Sequence, residues 1–557
     1  MQPDAAITQG DTGATQPAVF DAVIVGAGFA GLYMLHRLRT MGFSARVFEA
    51  GSGAGGTWYW NRYPGARCDV ESVQYSYQFS DELQQDWDWT ERYAAQPEIL
   101  RYANHVADRF DLRRDIQFDT RVNSAVFDEA EGRWNIETSD GARTAATFCV
   151  MATGCLSSPN LPSFKGIETF KGDRYHTGYW PHEGVDFTSK RVAVIGTGSS
   201  AVQSIPIIAR QAKHLFVFQR TPNYAVPAHN APLDPQAVRA IKVDYAAMRA
   251  RARKTMTGID FDYSAAKALE TSEEERQREY ETRWRRGGLS FLGAYMDLMV
   301  DAEANATAAE FVRAKIRETV RDPKVAELLS PKNTIGCKRL CIDIGYYETF
   351  NRPNVTLIDV SEAPIEEITP QGVNVSGEEY EVDAIVFATG FDAMTGALLR
   401  IDIRGRYGVA LREKWYAGPR NYLGVATAGF PNLFTITGPG SPSVLTNMLP
   451  TIEHHVDWIA GMIAFMRERG LAQIEPSVEA EDEWVSHVGE VAGRTLRYTC
   501  SSWYLGANIP GKPRIFMPYI GGFPAYIQTC DEIATNGYEG FVVTPAKAAA
   551  EGPAPQA

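Results

Sequence analysis

Apolar runs of four residues, each closed by glycine, punctuate this chain of 557 residues. Ala22-Val23-Ile24-Val25 leads into Gly26-Ala27-Gly28-Phe29-Ala30-Gly31, and Val192-Ala193-Val194-Ile195 leads into Gly196-Thr197-Gly198-Ser199-Ser200-Ala201. Continuous rather than alternating apolarity predicts strands buried on both faces, and the glycines predict a tight turn into a helix. Sheet character recurs at Val355-Thr356-Leu357-Ile358 and at Ala384-Ile385-Val386-Phe387. The latter flows into Ala388-Thr389-Gly390, matching Val150-Met151-Ala152-Thr153-Gly154 earlier in the chain. That pair predicts two strands leaving nucleotide-binding units at tight turns. From about 235 to 331 helical periodicity takes over, with Thr271-Ser272-Glu273-Glu274-Glu275-Arg276 opening a charged helix through Arg286. Residues 1–18 and 546–557 are expected to be disordered tails.

Strand, glycine turn and helix together form a dinucleotide site. Gly26, Gly28 and Gly31 let the backbone approach a pyrophosphate, and the helix N-terminus supplies N–H groups. Glu49, ending Arg46-Val47-Phe48-Glu49, is placed to accept from ribose hydroxyls. A second cluster, Gly51-Ser52-Gly53-Ala54-Gly55-Gly56-Thr57-Trp58, follows directly. It lets the chain pass close to a bulky cofactor, which selects FAD, with Gly56, Thr57 and Trp58 as contacts. In the second unit Gly196, Thr197, Gly198, Ser199 and Ser200 form the turn, with Ala201 replacing the third glycine. Its next strand, Leu215-Phe216-Val217-Phe218, ends in Gln219-Arg220-Thr221. A carboxylate there would repel a 2′-phosphate, whereas a guanidinium grips it, so Arg220 and Thr221 predict NADPH.

Composition narrows the partners. A net charge of -13 without a long basic run argues against nucleic acid. The lack of any long apolar stretch and the polar N-terminus predict neither membrane insertion nor export. The cysteines (Cys68, Cys149, Cys155, Cys337, Cys341, Cys500 and Cys530) are odd in number and form no Cys-x-x-Cys pair. They predict no disulfide framework, no metal site and a reducing cytoplasm. Cys337 and Cys341 are spaced to share a helix face, but no redox role is expected of them.

Phe170-Lys171-Gly172-Asp173-Arg174-Tyr175-His176-Thr177-Gly178-Tyr179-Trp180-Pro181 precedes the second glycine turn. Its Phe-x-Gly-x-x-x-His-x-x-x-Trp-Pro pattern resembles the signature of type I Baeyer–Villiger monooxygenases, a group of class B flavoprotein monooxygenases. From about Asp21 to Val543 the chain resembles their phenylacetone and steroid branch. The resemblance implies that NADPH reduces FAD and that O2 then forms a C4a-peroxyflavin, which attacks a small-molecule ketone to give an ester or lactone while NADP+ is retained. It implies Arg339 as the catalytic cation, Asp69 as the residue that holds and tunes it, and Lys338 as an NADP contact. It further implies a substrate loop bearing Ser443, Val444, Leu445 and Met448, and a mobile loop that brings Trp503 to the nicotinamide. Phe170, Gly172, His176 and Trp180 would be linker elements, His176 coupling nicotinamide binding to domain movement.

Three rival readings share the nucleotide folds, and one of them, a disulfide reductase, would need a reactive cysteine pair beside the flavin, which the sequence does not offer. A flavin monooxygenase that oxidises nitrogen or sulfur would not require Arg339, and a non-catalytic NADPH/FAD redox sensor would lack the substrate loop. The expected architecture is α/β, with two Rossmann-like doubly wound dinucleotide-binding domains and a helical insertion. The FAD unit would span 19–155 and 391–545, and the NADPH unit 156–234 and 332–390, around an insertion at 235–331. The site would lie in the cleft between them. No obligate protein partner is evident.

Overall fold

The computed structural model describes residues 17–546. Two sheets organise it. In the first, Ile116–Gln117, Ala45–Phe48, Ala18–Val25 and Arg143–Met151 lie parallel, and antiparallel Arg133–Thr138 and Val122–Asp128 extend one edge. The chain leaves this sheet after Met151 and returns later. Leu433–Thr435 joins Arg143–Met151, and Asp402–Arg404 joins Val122–Asp128. The second sheet has five strands, all parallel, in the order Val355–Asp359, His214–Gln219, Arg191–Ile195, Ala384–Phe387, Asp173–His176. Val23, Ile24, Val192, Ala193 and Val194 have no exposed surface, as strands covered on both faces require.

Both glycine turns rest on the same contact. Gly26 has φ +105° and Gly196 φ +117°, and a Cβ there would lie 2.7 Å from the Ala152 oxygen and 2.4 Å from the Ala388 oxygen, respectively. Each Ala-Thr-Gly turn therefore packs its alanine carbonyl on the first glycine of a fingerprint, which is why the two motifs come in pairs. The helices Phe29–Thr40 and Ser199–Gln211 follow. Ala201 is fully buried and fits, so the missing third glycine leaves the second turn intact.

Between Pro235 and Leu329 the chain forms helices, including Pro235–Val243, Glu273–Arg286, Ala302–Thr319 and Pro323–Leu329, without a strand. Ser272 and Glu275 make a reciprocal capping box at the start of Glu273–Arg286, which explains why that charged stretch is helical. Met448–Glu468 packs on Phe29–Thr40, where the Tyr33 hydroxyl donates to Asp457 over 2.9 Å. Among the described residues no helix is long and apolar enough to cross a membrane, and no group of side chains could hold a metal ion.

The terminal tails lie outside the described residues except at their inner edges, where Ala18 opens the first strand and Ala546 donates to the Gly470 carbonyl. The cysteine expectation is corrected: Cys337 and Cys500, 163 residues apart in sequence, are disulfide-bonded with their Cα atoms 6.1 Å apart. Cys337 shares no helix with Cys341, which lies on the strand Cys341–Asp343. Spacing along the chain carried no sign of a partner that only folding brings near. The other five cysteines are free and buried.

Candidate active site

One cavity of about 2000 Å³ joins both glycine turns. Single-ligand pockets typically span ~300–1,000 Å³, so this one has room for two dinucleotides and a substrate. Gly26, Gly28, Glu49, Gly56, Thr57 and Trp58 line one side. The turn from Gly196 to Ser200, with Arg220, Thr221 and Lys338, lines the other. Gly31 lies buried in the first turn of its helix and does not line the cavity.

The helix N-termini fit anionic groups. Phe29–Thr40 and Ser199–Gln211 have no capping side chain and no acid in the first turn. Helices elsewhere are capped by Ser272, Asp301, Asp322 and Ser477. Open N–H groups and an uncompensated dipole facing a cavity suit a pyrophosphate. Beyond the first turn, Glu49 accepts from the Ala27 N–H at 2.7 Å and the Gly51 N–H at 2.8 Å, which ties the two glycine clusters together. Burial raises its pKa against these hydrogen bonds. Glu49 lines the cavity on the side where ribose hydroxyls would lie. Trp58 is anchored by its indole N–H to the Tyr75 hydroxyl at 3.1 Å.

On the second side, burial and then the nearby Arg220 charge lower the pKa of Lys338. Among the described residues neither cation has a carboxylate within ion-pair distance. Two like charges held together at a cavity wall need an anion, and a 2′-phosphate meets that need. The residues present thus fit both FAD and NADPH.

Asp69 and Arg339, 270 positions apart, meet between the two sides. Arg339 Nε and Nη2 both donate to the Asp69 carboxylate, Nη2 to Oδ1 at 2.8 Å, and Nη1 donates to the Val444 carbonyl. Burial disfavours the cation, but the Asp69 charge and hydrogen bonds outweigh it and raise the guanidinium pKa. Arg339 is therefore a fixed positive charge with about a quarter of its side chain exposed. The Asp69 segment is braced from across the cleft: Gln203 donates to the Arg67 carbonyl at 3.1 Å and accepts from the Tyr63 hydroxyl at 2.9 Å. Gln203 went unrecognised in the sequence because a lone glutamine in an amphipathic helix carries no signal.

Val444 and Met448 line the cavity beside Arg339, but Ser443 and Leu445 do not. Ser443 is fully buried and donates to the Thr437 carbonyl at 3.2 Å. Trp503 lines the cavity on a segment held by Asn508, which donates to the Phe391 carbonyl at 2.7 Å, and by Lys512, paired with Asp392 at 2.5 Å.

The linker residues Phe170, Gly172, His176 and Trp180 lie outside the cavity wall. Phe170 and Trp180 are buried against the second sheet. His176 ends the edge strand. Its Nδ1 accepts from the Gly178 N–H at 3.0 Å, its Nε2 lies 3.2 Å from the Thr389 hydroxyl, and that hydroxyl donates to the Asn160 carbonyl at 2.7 Å. Accepting at Nδ1 makes the ring neutral, and burial lowers its pKa to about 4. His176 thus fastens the linker to the Ala388-Thr389-Gly390 turn.

Known proteins resemble this chain over nearly its whole length. Residues 12–230 match the family model described as flavin-binding monooxygenase-like. A Baeyer-Villiger monooxygenase of Pseudooceanicola batsensis is 46% identical, over 95% of this chain and 97% of that protein. The phenazine N-monooxygenase PhzNO1 of Lysobacter antibioticus is 42% identical, over 94% of this chain and 97% of its own. The solved structure of an oxidized steroid monooxygenase bound to NADP superposes with a TM-score of 0.91 at 53% identity, covering 95% of this chain and 100% of that one.

Proposed function

The chain belongs to the Baeyer–Villiger monooxygenases, and from that premise we propose that it uses NADPH, FAD and O2 to insert one oxygen atom beside the carbonyl of a small-molecule ketone, giving an ester or lactone. The observation that carries this reading is the meeting, in one cavity, of two uncapped helix N-termini, the Arg220–Lys338 cations and the Arg339–Asp69 ion pair. Bound FAD, reduced by NADPH, would supply the activated oxygen. Side chains of this protein would do the rest.

Arg339 presents a permanent cation where negative charge builds on oxygen, and a partly dry site strengthens that interaction. Asp69 holds the guanidinium in one plane, and each Nη keeps an N–H free for the reacting oxygen. Arg220 and Lys338 bind the 2′-phosphate of NADPH, while Trp503 and Met448 wall off water and receive the ketone. We assign FAD to the unit built from 19–155 and 391–545, and NADPH to 156–234 and 332–390, with 235–331 as a helical insertion. We place the protein in the cytoplasm, where NADPH is supplied.

The N-oxidising relative supports a second reading, oxidation of a ring nitrogen or a sulfide by the same site. One experiment separates the two. Purified holoenzyme is given NADPH, air and a panel of phenylacetone, cyclohexanone, progesterone, a sulfide and a heteroaromatic amine, with products followed by mass spectrometry against NADPH consumed. Ester or lactone matched to NADPH supports ketone oxygenation. N-oxide or sulfoxide alone, with no ester, overturns it.

A further inference from the structure

We propose that Cys337 and Cys500 form a reversible redox latch, closed by hydrogen peroxide, that pins the Trp503 loop against the segment carrying Lys338 and Arg339. Cys337 immediately precedes Lys338-Arg339, and Cys500 immediately precedes Ser501-Ser502-Trp503. Their bond is the only covalent tie between these two walls of the cavity among the described residues. The other ties of this loop are weak and reversible. The Thr499 hydroxyl bonds that of Thr334 at 2.9 Å, and Asn508 and Lys512 hold the far end.

The two sulfurs are not equivalent. Cys500 lines the cavity, whereas Cys337 has no exposed surface. A small oxidant entering the cavity therefore meets Cys500 first. Asn333 Nδ2 donates to the Cys337 sulfur at 3.3 Å, which holds that sulfur in place behind Cys500. The step balances. The Cys500 thiolate attacks one oxygen of H2O2, forming S–O and breaking O–O, and the departing hydroxide takes a proton to become water. The Cys337 thiolate then attacks that sulfur, forming S–S and breaking S–O, and releases a second water. Two thiols lose two electrons and one peroxide becomes two waters. A dithiol such as dithiothreitol reverses the bond by exchange.

The latch rests on the proposed oxygenase reading for its purpose. NADPH consumed without a ketone to oxidise ends as H2O2, generated in this cavity. A bond that holds the loop shut would slow exchange of NADP+ for NADPH and so curb futile turnover.

The test uses the FAD-bound protein, fully reduced with dithiothreitol and then treated with stoichiometric H2O2. Non-reducing peptide mass mapping reads the Cys337–Cys500 link, and limited proteolysis reads opening of residues 495–512. NADP+ dissociation and ketone-free NADPH oxidation are measured in parallel. The link is expected to form, with proteolysis of the loop and NADP+ release each slowed by roughly tenfold. Dithiothreitol should restore both, and peroxide should shift neither in Cys500→Ser or Cys337→Ser, each compared with its own untreated sample. Peroxide treatment without the link, or the link with unchanged loop opening and NADP+ release, overturns the latch. Mapping and proteolysis need no turnover, so a closed latch in a protein that makes no ester would sink the oxygenase reading alone.

Discussion

Replacing Arg339 by alanine should separate the reductive from the oxygen-inserting half of the reaction. The guanidinium is a unit charge fixed at the cavity wall by two hydrogen bonds to Asp69 and one to the Val444 carbonyl. A unit charge about 4 Å from a developing oxyanion is worth ~4 kcal/mol at the effective dielectric of a protein surface region. With 24% of the side chain exposed, solvent screening reduces this to about 2–3 kcal/mol. At about 1.4 kcal/mol per decade, ester formation should fall by roughly 30- to 150-fold. Arg339→Lys keeps the charge but loses the planar fork, so its loss should be about tenfold. Reduction of FAD by NADPH, followed anaerobically by stopped-flow absorbance, should change by less than about threefold, because hydride transfer builds no oxyanion. The variant also strands the Asp69 carboxylate at a cost of about 1–3 kcal/mol in stability, so denaturant unfolding must first show a folded holoenzyme. If folded Arg339→Ala makes ester within threefold of the wild-type rate, or if flavin reduction falls as far as ester formation, the role assigned to Arg339 is wrong.

Other outcomes follow from the same geometry. Arg220→Ala should raise KM for NADPH by about 10- to 100-fold while leaving that for NADH nearly unchanged, since a charged contact to phosphate is worth ~1.5–3 kcal/mol; equal changes would remove the 2′-phosphate argument. Gly26→Ala should abolish FAD retention, read by absorbance of the purified protein, because its Cβ meets the Ala152 oxygen at 2.7 Å. Gly196→Ala, facing the Ala388 oxygen at 2.4 Å, should retain FAD and lose NADPH binding by titration. His176 gives a pH test. Its pKa is about 4 in the fold against an ordinary 6.5, so the unfolded chain takes up the proton first. Its contribution is complete above pH 6.5 and is lost as pH falls toward 4. Between pH 7 and pH 5 the wild type should lose about 2 kcal/mol more unfolding free energy than His176→Asn; parallel losses in the two proteins would show that His176 is not buried neutral.

What could be read directly from the chain is what lies within one local unit. Val25-Gly26-Ala27-Gly28 and Glu49 belong to a single strand–turn–helix–strand module, so their spacing alone places an acid beside a phosphate turn. The Ser272–Glu275 capping box and the Gln219-Arg220-Thr221 strand end are local in the same way. Asp69 and Arg339 were legible only through family resemblance, since on residue chemistry alone each reads as a surface charge. Only the tertiary structure decided which distant groups touch. It paired Asp69 with Arg339, set Gln203 against Arg67, turned Ser443 inward while Val444 faced the cavity, and bonded Cys337 to Cys500. The physical reason is that backbone geometry links neighbours through a few soft dihedrals and leaves a periodic trace in the sequence. A contact across 100 or more residues depends on how whole sheets pack, and it leaves no such trace.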